Sequence, residues 1–281
     1  MTVTSPELEL IAPLPAIPRS PFPPLATLAR RRLRLSARTP RELIVPLLTP
    51  ILFALVIAPA LKQALHTSNE YEAFVATGTI GLLIPLNTMF AGIGVLVDRE
   101  SGAQRELLSA PISRALLVLA NMAVALAVTA LQVAVLIGAA RARGIHFHIT
   151  GTGMLWFLAA GSLFTIGMYG AAETLAARVP RTEEYVARVP VIAIVPWFLA
   201  GSLFPITALP NFLTWVARFL PLTHALALIR YGLLGDPRGL EEIWKLHDVA
   251  AMAGMSQVVV ALFAAVLTAV GIRTFGRTAV R

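Results

Sequence analysis

Apolar residues run along this chain in long uncharged stretches, separated by short breaks dense in charge. The stretches fall at about residues 43–61, 73–97, 115–140, 154–177, 189–209 and 248–271. Each holds about 18 residues or more, enough for a helix rising about 1.5 Å per residue to cross about 30 Å of hydrocarbon. None shows the ten-residue apolar–polar alternation of a membrane barrel strand. The pattern predicts an all-α membrane protein with six transmembrane helices.

Residues 1–24 carry seven prolines and read as a disordered arm. Beyond it, Leu25, Leu28, Leu33 and Leu35 interleave with Arg30, Arg31, Arg32 and Arg34. A helix there presents leucine on one side and guanidinium groups toward lipid phosphates, lying in the membrane interface rather than crossing it. Arginines, an apolar run and Ala58-Pro59-Ala60 imitate a signal peptide. Some forty residues precede that run, however, Pro59 sits in the would-be cleavage site, and the run is long enough to span, so an uncleaved first span is expected.

The stretch from Phe212 to Leu234 is apolar enough for a seventh crossing. Pro221 divides it into two arms each too short to cross, and it carries Arg218, His224 and Arg230, all costly at a bilayer centre. It is therefore expected to re-enter from the outer face as a helical hairpin, with His224 and Arg230 kept wet at headgroup level. His224 would be an interfacial hydrogen-bonding residue or a substrate contact; Arg230 would hold anionic lipid, substrate or a structural partner.

Composition agrees: 57% of the 281 residues are hydrophobic and only 14% are charged, with a net charge of +8. The distribution of that charge excludes a nucleic-acid reading. Sixteen of the 23 Lys and Arg residues cluster at residues 19–41, in the breaks at 99–114 and 178–188, and after residue 272. The other seven are spread over the alternate, longer loops. By the positive-inside rule both termini are cytoplasmic, and the excess charge serves topology and lipid headgroups. Without cysteine there are no disulfides or thiolate metal sites. His146 and His148, with no carboxylate nearby in sequence, make a poor metal pair.

The break Asp98–Arg114 is unusual, with three Arg, one Asp and two Glu in a turn too short to be a domain. Gly102 and Pro111 bracket a short helix carrying Glu106 and Leu107. Glu100, Gly102, Glu106, Leu107, Leu108, Pro111 and Arg114 compose the pattern E-x-G-x-x-x-E-L-L-x-x-P-x-x-R. This resembles the loop after the second span of the ABC-2 type exporter permeases, where R-E-x-G-x-x-E-x-L-x-x-x-P-x-x-R touches an ATPase subunit. Here Arg99-Glu100 supplies the R-E, and the second Glu stands four rather than three residues after the Gly. Phe204-Pro205, Leu209-Pro210, Pro221-Leu222-Thr223-His224 and Arg230 also follow the family's order, with its S-G reversed as Gly201-Ser202.

The resemblance covers residues 25–281 and looks closest to drug-resistance and lipid or polysaccharide export permeases. It implies a coupling helix between spans 2 and 3 and two permease copies, identical or related, in the cell membrane. It also implies cytoplasmic ABC ATPase subunits carrying ATP and Mg, docked on Arg99, Glu100, Gly102, Glu106, Leu107, Pro111 and Arg114. Glu183 and Glu184 in the next cytoplasmic turn would be lesser contacts. The only lysines, Lys62 and Lys245, do not follow a Gly, so the chain carries no Walker A loop and no cofactor of its own is expected. Asn87, Asn121, Gln132 and Gln257 are expected to bridge helices. Glu173, the only acidic residue inside a span, is expected to reach the interface or an Arg partner. A proton-driven secondary transporter would depend on it.

Overall fold

The computed structural model describes residues 22–38, 44, 48, 51–64, 66, 69–109 and 112–278. The expected arm over 1–24 lies outside them except for Phe22–Pro24, as do residues 43, 45–47, 49 and 50 of the first expected span and Pro111.

The described chain is helical. α1 (Phe22–Arg38) is followed by a π-helical turn (Phe53–Ile57) and α2 (Ala58–Ala64). α3 (Asn69–Ala91) and α4 (Ile93–Glu100) form one rod interrupted at Gly92, and α5 (Ala103–Ser109) is the short helix beyond it. The long helices α6 (Arg114–Ala142) and α7 (Gly151–Arg178) come next, then α8 (Thr182–Leu199). α9 (Asn211–Phe219) and α10 (Pro221–Leu234) form a hairpin-like pair, and α11 (Arg238–Trp244) leads into α12 (Val249–Thr278).

Among the described residues, four helices are long and apolar enough to cross a membrane: Glu70–Glu100, Arg114–Ala142, Gly151–Arg178 and Val249–Arg277. They correspond to four of the six expected spans. The stretch expected over 189–209 is different. Its helix, α8, begins earlier and ends at Leu199, because Gly201 adopts a left-handed φ of 79° and Pro205 follows in a turn. α9 and α10 meet at 79°, either a broken span or a re-entrant pair. The bend falls at Leu220, whose extended backbone leads into Pro221 at the first helical position, where a missing N–H costs nothing.

Local chemistry sets the other boundaries. Thr150 caps α7 through Oγ1, which accepts the Gly153 N–H at 3.0 Å. At the end of α6, the Ile145 N–H reaches Ala140 O and the Gly144 N–H reaches Arg141 O, with Gly144 at φ 86°. That pairing satisfies carbonyls the helix would otherwise leave open.

α7 is the hub of the packing and touches α3, α6, α10 and α12, while α10 also packs on α3, α11 and α12. In lipid the gain from such packing is dispersion and hydrogen bonding rather than hydrophobic transfer. Two aromatic side chains stitch α8 to α3 in this way. Trp197 Nε1 donates to Gly78 O at 2.8 Å, and Tyr185 Oη donates to Met89 O at 2.6 Å. The Glu70–Glu100 rod is the most enclosed, with 78% of its apolar window inside the protein against 22% for Val249–Arg277. Among the described residues, Asn87 Nδ2 and both polar atoms of Gln257 make no hydrogen bond, contrary to the expected bridging.

Candidate functional site

Two polar regions stand at opposite ends of the bundle. The first is the charged break between α4 and α6. Gly102 has φ 81°, a left-handed conformation that L side chains resist, and it turns the chain out of α4 into α5. On α5, Arg105 and Glu106 are exposed, while Leu107 and Leu108 are half-buried against the core. The expected short helix between Gly102 and residue 111 is present; Glu106 and Leu107 occupy its outward and inward sides.

The flanks of α5 are fastened to other elements. Arg99 Nη1 donates to Ala176 O at 3.0 Å, and its Nη2 donates to Val179 O at 2.7 Å and Pro180 O at 3.1 Å. These are carbonyls at the C-terminal end of α7, where a cation is favourable. Thr182 Oγ1, at the start of α8, donates to Glu100 Oε1 at 2.9 Å. On the far side Arg114 Nη1 donates to Gly276 O of α12 at 2.8 Å. Arg99, Glu100 and Arg114 therefore bind their own chain, leaving Arg105 and Glu106 as the outward charges. Glu183 and Glu184 are also exposed, with Glu184 3.7 Å from Arg188.

α1 joins the same end, in a way the leucine–arginine pattern does not anticipate. Asp98 lies 3.4 Å from Arg31 and 3.7 Å from Arg32, and Arg32 also donates to Ala91 O at 3.4 Å. Arg31 and Arg32 thus point inward, whereas Leu33 is half exposed; Leu28 packs against the core. The physical reason is Asp98, a half-buried carboxylate that draws the two guanidinium groups away from the interface.

The second region lies at the other end, around α10. Here the expectation of wet side chains is overturned: His224 is 2% exposed and Arg230 5%. The bend at Pro221 turns α10 back into the bundle, so protein rather than water satisfies its polar groups. Arg230 Nη2 donates to Ser202 O at 3.1 Å and Phe74 O at 3.4 Å, its Nε to Thr77 Oγ1 at 3.4 Å. Its guanidinium stands 3.5 Å from the centroid of the Phe74 ring.

His224 Nε2 faces Arg218 O at 2.9 Å, so the proton is assigned to Nε2, since a carbonyl only accepts. Nδ1 then accepts from Ser256 Oγ at 3.2 Å, and Ser256 Oγ accepts from Trp244 Nε1 at 2.8 Å. Pro205 and Pro210 precede the 3-10 turn Ile206–Ala208 and α9 respectively. Glu242 on α11 accepts the Ile206 N–H at 2.9 Å. Burial raises its carboxyl above the usual range, opposed by the N–H groups of Ile206 and Thr207 and by Arg230.

Glu173 also departs from expectation. It is fully buried in α7, its Oε1 accepts Tyr169 Oη at 2.9 Å, and no arginine pairs with it among the described residues. Its hydrogen-bond partner is Tyr169, one turn earlier on the same helix, and Arg32 acts on it only from beyond ion-pair distance. Thr77, Phe74 and Glu242 escaped the sequence reading, while Asp98 and Ser202 entered it only as members of the charged break and the Gly201-Ser202 motif, without their partners.

Residues 24–234 match the ABC-2 type transporter family. The chain is 26% identical over 190 residues to the ycf38 protein of Porphyra purpurea, described as a candidate transport permease. That stretch covers 67% of this chain and 65% of the relative, just under two thirds of its length. The ycf38 protein of Pyropia yezoensis, described likewise, is 25% identical over 199 residues, covering 69% of this chain and 68% of that one. With long apolar helices, a short exposed helix between two of them, and a family match across most of its length, the chain is a multi-pass membrane protein that belongs to the ABC-2 type transporter family.

Proposed function

We propose that the chain is the membrane-spanning subunit of an ATP-binding cassette exporter. Members of its family are generally non-catalytic transmembrane subunits that work with a separate ATPase. The substrate in this reading is lipophilic or amphiphilic: a drug, as in multidrug efflux, a glycolipid or a lipid-linked glycan. Six spans, two permease copies, both termini in the cytoplasm and residence in the cell membrane complete it. ATP and Mg reside on the partner subunit.

The observation that carries the reading is how α5 is mounted. It offers Arg105 and Glu106 outward, yet its flanks are bonded to α7, α8 and α12 and to α1 through Asp98. A push on α5 therefore reaches four elements at once, as a transition between two packings of the spans requires. In this reading α5 is the coupling helix, and Glu183 and Glu184 are secondary contacts.

The test is purification of the tagged chain with its ATPase subunit, assayed for nucleotide hydrolysis and export alongside Glu106→Arg and Gly102→Pro. Proline cannot adopt φ 81°, so the second variant reshapes the loop. Both variants should insert normally, lose the ATPase and lose export. Normal export in both would remove this loop from the mechanism. A second reading, a proton-driven carrier, draws on Glu173, whose Oε2 is buried with no hydrogen bond among the described residues. It requires Glu173→Gln to abolish transport while ATP depletion does not.

A further inference from the structure

A cavity of about 750 Å³ opens at the α10 end of the bundle, between the start of α3, the turn after α6, the loop after α8, and α10–α11. One face of α10 lines it through Thr223, Ala227 and Arg230, positions three and four residues apart that stack on a helix. The Arg-rich break and the end of α12 are at the opposite end of the bundle.

The charges around this cavity are unequally matched. Glu72 pairs with Arg143 at 3.6 Å, and Arg238 pairs with Asp236 at 2.9 Å and Glu70 at 4.0 Å. Glu242 is held by the Ile206 N–H. Arg230 is the exception: 95% buried, it forms no ion pair among the described residues, and its hydrogen bonds use only Nε and Nη2. Its Nη1 makes none. Thr223 Oγ1, on the same face, is buried with no hydrogen bond among the described residues.

A guanidinium removed from water is costly unless something supplies the counter-charge, and the Asp236 and Glu242 carboxylates on the cavity wall act on this one only from beyond ion-pair distance. The Phe74 ring and three neutral oxygens supply part of it. The remaining N–H edge suits a planar or tetrahedral oxyanion, which arginine binds with geometric preference. Thr77, which Arg230 contacts, lies seven residues into the Glu70–Glu100 rod, about 10 Å from its start. That depth fits a group entering from the membrane surface. The volume exceeds what a single ion fills and leaves room for a larger polar head with apolar neighbours such as Ile145 and Leu234.

We propose that this cavity binds a phosphate-type oxyanion, the phosphate of a lipid head or a free phosphate, through the unpaired edge of Arg230. The site is independent of ATP coupling, so it is measured on the isolated full chain in detergent without nucleotide. Inorganic phosphate, dioctanoyl phosphatidic acid and dioctanoylglycerol are titrated against wild type, Arg230→Lys and Arg230→Gln. Saturable binding of a phosphate-bearing probe is expected, weakened about tenfold or more by Arg230→Gln. Arg230→Lys, which keeps the charge and loses the fork, should lie between. Binding of phosphatidic acid alone identifies a lipid head; equal binding of inorganic phosphate identifies a solute site. Dioctanoylglycerol binding as well as phosphatidic acid, no saturable binding, or unchanged affinity in Arg230→Gln overturns the proposal.

Arg230 also ties α10 to α3 and to Ser202, so a second readout keeps it in place. The chain has no cysteine, and Ala227→Cys adds one thiol to the cavity wall. An anionic thiosulfonate should modify it faster than a cationic one, and phosphatidic acid or phosphate should slow the reaction. A faster cationic reagent, or no protection by either probe, refutes the site.

Discussion

Replacing Gly170 by alanine tests the close packing of α7 against α12. Gly170 sits where α7 crosses α12. A Cβ there would lie 2.5 Å from both the backbone carbon and oxygen of Leu267 and 2.6 Å from the Thr268 nitrogen. Ordinary contact begins at 3.4 Å, so the gap is short by 3.4 − 2.5, about 0.9 Å. The opposing atoms are backbone, and no rotamer change can relieve them. Gly271, across the crossing, is similarly close, its Cβ position 2.9 Å from Gly170 O. The helices must part, losing contact along the most extensive helix pair in the protein. Overpacking of this kind costs about 1–3 kcal/mol.

Gly161, on the same helix, is the control, since a Cβ there meets nothing within 4 Å. Gly161→Ala should be neutral or stabilising by up to about 1 kcal/mol, the helix-propensity difference. Equilibrium unfolding in mixed detergent micelles, followed by circular dichroism, measures both. Gly170→Ala should unfold at clearly lower denaturing-detergent fraction than wild type and Gly161→Ala should not. A Gly170→Ala protein within about 0.5 kcal/mol of wild type, or one no worse than Gly161→Ala, would refute the close backbone crossing.

Arg99→Gln removes the cation from the three carbonyls at the end of α7. It should cost about 1–2 kcal/mol in the same unfolding assay and, if the proposed exporter reading holds, uncouple nucleotide hydrolysis from export, with Arg99→Lys rescuing only part. Stability should also depend on Glu242. Its carboxyl is raised by burial, so the folded protein favours the neutral form. This contribution is fully present below the ordinary carboxylate range and is lost as pH rises through the raised value. Melting followed over about pH 4 to 7 should show that loss in wild type and a flatter profile in Glu242→Gln; parallel profiles would count against it.

Hydrophobic patterning placed four long helices, and Gly102 with Glu106 and Leu107 marked the short helix between two of them, because these features are local. Uncharged length dictates whether a helix can cross lipid, and a glycine ahead of a charged turn dictates where it stops. Pro221 dictated the break between α9 and α10 for the same reason. Whether a polar side chain is wet or enclosed is not local. The sequence placed Arg230 and His224 at the membrane surface because snorkelling is the cheapest course for an isolated helix. Tertiary structure turned α10 inward, where Ser202, Thr77 and Phe74, distant in sequence, replaced water around the guanidinium. Likewise, arginines spaced for lipid contact on α1 were claimed by Asp98. The sequence by itself determined where helices form and which breaks carry charge; only the fold decided which charges meet, because partners for a buried ion come from segments far along the chain.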